Sequence, residues 1–343
     1  MKRLNYGQAI HAALSHAMEK DSSVFIMGIG VDDHKAIFGT TKGFVERFGR
    51  ARVFDTPISE GAMTGIAVGA ALGGMKPIHI HIRADFLYLA MDQVFNIAAK
   101  WRSMSGGKAS VPMVIRAVIG RSWGQGAQHS QSPQSLFMHV PGIKVVMPTT
   151  PADAQGLLMA AIEDPNPVLI LEHRLLYDLV GDVPDTPVAV PFGRAVVRRE
   201  GSDLTIVAGS HMAIESLKAA EFLAKHGVDA EIVDPISLVP LDQDTILRSI
   251  AKTGRLLVVD SSWTTCGSSA EIAAVAADKG FSSLKAPVRR LGMQPVTCPV
   301  SKPLELAFYP SAKTIAAEAF AMLKRHFPDA PAPELTTAFK GPF

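Results

Sequence analysis

Short apolar strands alternating with longer amphipathic segments run through nearly the whole chain, and this alternation constrains the fold more than any other feature. From Tyr6 to Met18 the apolar positions recur at helical spacing, and residues 23–27 then read as a short buried strand. Residues 52–54 and 77–82 read as strands around a helix of small residues at 61–72. A long helix is expected at 86–104, a strand at 111–118, and a Gly/Ser/Gln-rich loop at 120–133. Strands at 143–147 and 168–171 flank a helix at 151–163. Apolar runs of this length, separated by helical crossovers, pair in parallel and are covered on both faces. The fold class is therefore α/β, each domain a mainly parallel sheet flanked by helices.

A chain of 343 residues exceeds the size at which one core stops growing, so two domains of roughly 150 residues are expected. Residues 178–191, DLVGDVPDTPVAVP, fit no helical period and carry the linker. The first domain then spans 1–185 and the second 186–327. Beyond the linker, strands are expected at 203–208, 229–233, 255–260 and 286–291, and helices at 212–226, 242–251, 268–279 and 312–325. A Pro-rich tail fills 328–343.

Composition narrows the class of function. Charged residues make up 19% and hydrophobic ones 48%, against roughly 25% charged in ordinary soluble domains; the surplus of apolar surface points to an obligate oligomer. A net charge of +2 gives no basic stripe for nucleic acid and no attraction to an anionic membrane. Cys266 and Cys298 form neither a disulfide framework nor a metal-ligand spacing, so they read as structural thiols in a reducing compartment. His11, Ser15, His16 and Glu19 interrupt any apolar core of a leader, and no run approaches the roughly 18 apolar residues of a membrane span. A cytoplasmic location is expected.

Gly28-Ile29-Gly30 follows the first strand, where a dinucleotide fold places its phosphate loop, but Asp33 holds the third-glycine position and the partial pattern is weak. The more specific segment is Asp55-Thr56-Pro57-Ile58-Ser59-Glu60, which sets an acid at a strand end directly before the small-residue helix. As a bare pattern, Ser-Glu before a helix more often serves as an acidic cap. The helix that follows, GAMTGIAVGAALGGMKP, is joined by Ala84-Asp85-Phe86, by DQVFNIAAK at 92–100, by QHSQS at 128–132 and by PGIKVV at 141–146.

In order and spacing these motifs closely resemble the β chains of pyruvate, branched-chain 2-oxoacid and acetoin dehydrogenases, thiamin-dependent relatives of transketolase. The resemblance extends through LVPLD at 238–242 and KTGR at 252–255 to about residue 320. It implies a pyrimidine-binding domain followed by a transketolase C-terminal-like domain. It also implies thiamin diphosphate as cofactor and oxidative decarboxylation of a 2-oxoacid, with acyl transfer to a lipoyl group. The matching glutamate, Glu60, hydrogen-bonds the cofactor's pyrimidine nitrogen and promotes the tautomer that activates the thiazolium carbon. A carboxyl in that role exchanges a proton at neutral pH, which burial favours. Phe86 lies against the pyrimidine ring, Ile58 belongs to the same cofactor contact, and His129 faces the substrate and the lipoyl arm.

Several features depart from the family pattern. The acid usual after the first strand is replaced by Ile29, which interrupts a chain of acidic groups between paired active sites; Asp32 and Asp33 are the nearby substitutes. No Gly-Asp-Gly segment for Mg²⁺ and the diphosphate is present, and Gly181-Asp182-Val183 lacks the closing glycine. By resemblance, an α subunit carries that site, the assembly is α₂β₂ with β packed on β, and a lipoyl acyltransferase core is the further partner. Arg83, His81 and His79 stand where familiar β chains carry uncharged or acidic residues, which suggests contact with an anionic substrate group or, equally, with a neighbouring subunit. Ala161, Asp164 and Asn166 resemble a potassium loop, though Pro165-Asn166 also makes an ordinary turn. Two other functions fit the same residues: a split transketolase-like or acetoin-cleaving subunit, and a β-like scaffold without turnover.

Overall fold

The computed structural model describes residues 1–33, 35–121 and 124–331, so residues 332–343 of the expected tail lie outside the described residues. Among the described residues the chain divides into two compact units, the first comprising Met1–Gly120 with Leu136–Phe192 and the second Arg121–Ser135 with residues 193–331.

In the first unit the strands are Lys2–Asn5 (β1), Val24–Gly28 (β2), Val53–Phe54 (β3), Lys76–His81 (β4), Val114–Ile119 (β5), Lys144–Val146 (β6), Val168–His173 (β7) and Val180–Val183 (β8). Strands β6-β7-β5-β4-β2-β3 lie side by side, every one of these pairings parallel. Their sequences explain this: VFIMG, VIRAVI and VLILEH are buried at every position, as strands covered on both faces require. The helices Tyr6–Lys20 (α1), Glu60–Leu72 (α2) and Pro151–Glu163 (α3) supply part of that cover. Asn5 with Gln8 closes a capping box on α1, and Thr150 with Asp153 does so on α3, which also begins on Pro151.

Two local expectations change. The long helix expected over 86–104 is a broken run: α-helical at Ala84–Leu87, 3₁₀ at Tyr88–Ala90, π-helical at Asp92–Ala98 and α-helical again at Ala99–Met104. The wider register keeps Val94 and Ala98 buried, while Gln93 meets α2 at Gly65, where an added Cβ would stand 3.2 Å from its Oε1. The second change concerns the expected linker. β8 falls inside it and pairs antiparallel with β1, Lys2 opposite Val183 and Asn5 opposite Val180. Tyr6 and Gly7 extend the ribbon through amide bonds to the carbonyls of Leu179 and Tyr177. Val190 then donates its amide to the Gly156 carbonyl and packs where a side chain at 156 would sit. The first unit therefore runs to Phe192, past the expected 185. Sequences such as KRLN and VGDV carry no apolar run from which either strand could be forecast.

The second unit holds Val196–Arg199 (β9), Leu204–Ala208 (β10), Ala230–Asp234 (β11), Leu256–Trp263 (β12) and Arg289–Met293 (β13), in the order β13-β12-β10-β11-β9. Only β9 among these runs antiparallel. Strand periodicity sends alternate residues to opposite faces. Leu204 and Ile206 pack with helices His211–Lys225 (α4) and Ala312–Met322 (α7). Val207 and Val258 pack with helices Gln243–Thr253 (α5) and Ser268–Lys279 (α6). Cys266 is exposed, Cys298 is buried, and both are free. Among the described residues no helix is long and apolar enough to cross a membrane.

Candidate active site

The carboxyl ends of the parallel strands β2 and β4 and the start of α2 enclose a pocket lined in part by Ile29, Glu60, His79, His81, Arg83 and Phe86. Each arrives there for a local reason. Gly28 pairs with Ile80 across β2 and β4, and a Cβ at 28 would stand 2.4 Å from the Ile80 carbonyl oxygen. That close approach accounts for a glycine at this position without a phosphate loop. Asp55 ties the DTPISE segment to the loop after β2, its Oδ1 accepting from the Gly30 amide at 2.6 Å and from the Thr56 amide at 3.0 Å.

Glu60 is the first residue of α2. The cap position belongs to Ser59, whose side chain makes no capping hydrogen bond, and Glu60 is the acid of the first turn. Glu60 is 8% exposed and makes no hydrogen bond or ion pair among the described residues. With the residue mostly enclosed, its carboxyl faces the pocket, where a group from outside the chain could meet it. The small residues of α2 let it approach the helical run beyond β4: an added Cβ at Gly61 would be 3.0 Å from the Leu89 carbonyl oxygen.

The strand sequence KPIHIH places His79 and His81 two residues apart on one face of β4. Both are buried, at 2% and 5% exposure, with ring centroids 4.3 Å apart. His79 Nδ1 lies 3.3 Å from Thr64 Oγ1. Burial depresses the pKa of His79 to about 4, and burial, reinforced by His79, holds His81 well below the ordinary histidine range. Both imidazoles are neutral at pH 7. His81 Nε2 has no hydrogen-bond partner among the described residues. Arg83 donates from Nη1 to the Ile82 carbonyl at 2.6 Å, while its buried Nε has no partner. Burial lowers the Arg83 pKa and the nearby Asp85 opposes that shift.

The structure thus brings Glu60, Phe86, His81 and Arg83 around one pocket. Ile58 is not among its lining residues and is 83% exposed. His129 lies in Arg121–Ser135, the segment that belongs to the second unit, where it is half-buried. Ile29 reaches the pocket, and the two nearby acids have partners of their own. Asp32 pairs with Arg50 at 2.5 Å, and Asp33 accepts from the amides of Lys35 and Ala36 at 2.7 and 2.8 Å. At the potassium-like loop, Asp164 Oδ2 pairs with Lys144 Nζ at 2.6 Å, and Oδ1 accepts from the Asn166 amide at 2.9 Å; Ala161 is buried. Gly181 and Asp182 are ladder residues of β8, opposite Leu4 and Arg3.

One polar group escaped the sequence reading. Arg116 on β5 grips Glu172 on β7, Nε to Oε1 at 2.5 Å and Nη2 to Oε2 at 2.8 Å, with Tyr177 donating to Glu172 as well. The available signal was a single Arg or Glu within each of two largely apolar strands, since a buried charge requires a partner.

Residues 2–179 match the transketolase pyrimidine binding domain family and residues 193–315 the transketolase C-terminal domain family. The acetoin:2,6-dichlorophenolindophenol oxidoreductase subunit beta of Cupriavidus necator is 44% identical over 94% of this chain and 98% of its own length. Its Bacillus subtilis counterpart is 41% identical, covering 93% and 97%. The mitochondrial pyruvate dehydrogenase E1 component subunit beta of Pisum sativum is 41% identical, covering 95% and 92%. Among solved structures, a split-gene transketolase described as an inactive beta4 tetramer superposes with a TM-score of 0.75 at 22% identity, over 92% of this chain and 97% of that one. That last likeness is one of fold.

Proposed function

The chain belongs to the β subunits of thiamin-dependent acetoin and pyruvate dehydrogenases within the transketolase family, and from that membership we propose that, with an α subunit, it decarboxylates a 2-oxoacid oxidatively and passes the acyl group to a lipoyl arm. The observation that carries this reading is Glu60: a buried carboxylate without a partner among the described residues, at a helix start, in a pocket that also presents Phe86. These features fit the pyrimidine end of thiamin diphosphate, which when bound supplies the carbanion chemistry.

The chain's own residues then do limited work. Glu60 holds and exchanges a proton with the pyrimidine nitrogen. Phe86 offers a flat apolar face to the ring, and Ile58 is the proposed further contact, reached from outside the pocket. His129 orients the substrate carbonyl or the incoming lipoyl group. The diphosphate and Mg²⁺ are assigned to the α subunit, in a cytoplasmic α₂β₂ assembly that delivers its product to a lipoyl acyltransferase core. The turn at Ala161, Asp164 and Asn166 is the proposed potassium site; with the Asp164 carboxylate engaged by Lys144 and Asn166, main-chain oxygens would hold the ion. A second reading, cleavage of acetoin by the same residues, is favoured by the names of two relatives.

Co-expression with the α gene and assay of thiamin-dependent turnover on pyruvate, branched 2-oxoacids and acetoin tests the proposal. Glu60→Gln is expected to lower kcat by about 10²–10⁴-fold, the range of a positioned acid–base group. Full activity in that variant overturns the assignment. Cofactor binding without turnover of any substrate would instead identify a β-like scaffold, the outcome to which Ile29 points.

A further inference from the structure

The tip of β4 carries a pair of polar groups that Glu60 and Phe86 leave unused. His79 meets Thr64 and packs at a tilt against His81, which restricts the His81 ring and leaves its Nε2 in the pocket wall, buried and without a partner among the described residues. Two residues on, Arg83 makes no ion pair among the described residues; one arm of its guanidinium is spent on the Ile82 carbonyl and its buried Nε is open. A buried polar atom left unsatisfied is costly, and two such atoms belong to residues that line one pocket. Both imidazoles are neutral because of their burial, so the positive charge here is that of Arg83 alone, and His81 contributes a hydrogen bond. A guanidinium edge beside a neutral imidazole, in the tautomer that places the proton on Nε2, is the donor set that a planar or tetrahedral oxoanion satisfies.

We propose that His81 and Arg83 form an oxoanion subsite in the Glu60 pocket, and that the substrate this chain selects presents a carboxylate or similar acid group to them. The proposal rests on the Glu60 pocket being the reacting site. The oxoanion is either the 2-oxoacid's own carboxylate or a second acid group farther along the molecule. It sets the chain apart from an enzyme for acetoin, a neutral hydroxyketone that offers no such group.

The test uses the α/β complex with Arg83→Met, Arg83→Lys and His81→Phe, assayed on pyruvate, on 2-oxoglutarate as a doubly acidic 2-oxoacid, and on acetoin. Binding of oxalate to the cofactor-free complex is measured in parallel by calorimetry. Arg83→Met and His81→Phe are expected to raise KM for acid-bearing substrates and the Kd for oxalate at least tenfold, about 1.4 kcal/mol. The acetoin KM and the Kd for thiamin diphosphate should stay within twofold, and Arg83→Lys should recover part of the loss. A defect on both 2-oxoacids assigns the subsite to the shared carboxylate; a defect on 2-oxoglutarate alone assigns it to the second acid. Equal effects on acetoin and the acids, or unchanged KM and oxalate affinity in a complex that still binds thiamin diphosphate, overturn the proposal. Full turnover by Glu60→Gln would sink the reacting-site premise separately, since oxalate binding reports on the subsite by itself.

Discussion

Removing either partner of the Arg116–Glu172 pair should destabilise the first unit severely, whereas removing both should not. The two side chains are 1% and 2% exposed and joined by two bonds of 2.5 and 2.8 Å. Burial alone would pull the Arg116 pKa down, but the Glu172 carboxylate outweighs that and holds the guanidinium above its ordinary value. Arg116→Met therefore strands a buried carboxylate that Tyr177 alone still contacts, and Glu172→Met strands a guanidinium left with weak contacts to Thr40. Loss of one member of a buried pair costs about 3–5 kcal/mol. For a unit of this size each kcal/mol is worth roughly 2–4 °C, so each single variant should melt roughly 6–20 °C lower. The double variant replaces the pair with apolar volume and should recover most of that loss. Thermal unfolding of the purified complex followed by circular dichroism closes the double-mutant cycle. Single variants within about 1 kcal/mol of the parent, or a double variant as unstable as the sum of the singles, would refute the coupling.

Mild acidification should destabilise the protein through its buried histidines. The folded-state pKa values of His79 and His211 are depressed by burial to about 4, from 6.5. The unfolded chain therefore binds more protons between those limits, and stability rises with pH across that window. It is complete above about 6.5 and is lost as pH falls toward 4; a midpoint that stays flat from pH 7 to 4.5 would contradict the neutral buried imidazoles. At the Ala161–Asn166 turn, potassium bound to main-chain oxygens should raise the melting midpoint over that in choline salts. Equal midpoints would leave the Lys144–Asp164 pair as the turn's own lock and remove the ion.

The parallel architecture was legible because VFIMG, VIRAVI and VLILEH carry their burial in plain hydrophobic form. The antiparallel edges β1, β8 and β9 were not, since KRLN, VGDV and VVRR gain their place from neighbours rather than from pattern. The same division holds at the site. Glu60 drew notice through its motif context, and the structure adds that Ser59 takes the cap and that the carboxylate is buried. His79, His81 and Arg83 were conspicuous as polar residues in and beside a strand, but only the fold places Thr64 against His79 and leaves His81 open. Ile58 looked equivalent to its neighbours in DTPISE, yet the turn into α2 points the segment so that 58 is exposed and 60 buried. Which acid could stand in for the one missing at Ile29 was undecidable in sequence; the capping by Asp33 and the pairing of Asp32 with Arg50 give each of them other work.

The ribbon of β1 with β8 joins residues Lys2–Asn5 to the stretch just before the exit from the first unit. That pairing ties the two margins of the first unit to each other, while between Gly120 and Leu136 the chain belongs to the second unit. The first unit is therefore sealed at its margins but threaded through its middle. An extension ahead of Lys2 would meet an edge that is already paired, whereas a cut at Phe192 would take residues 121–135 away from the body they belong to.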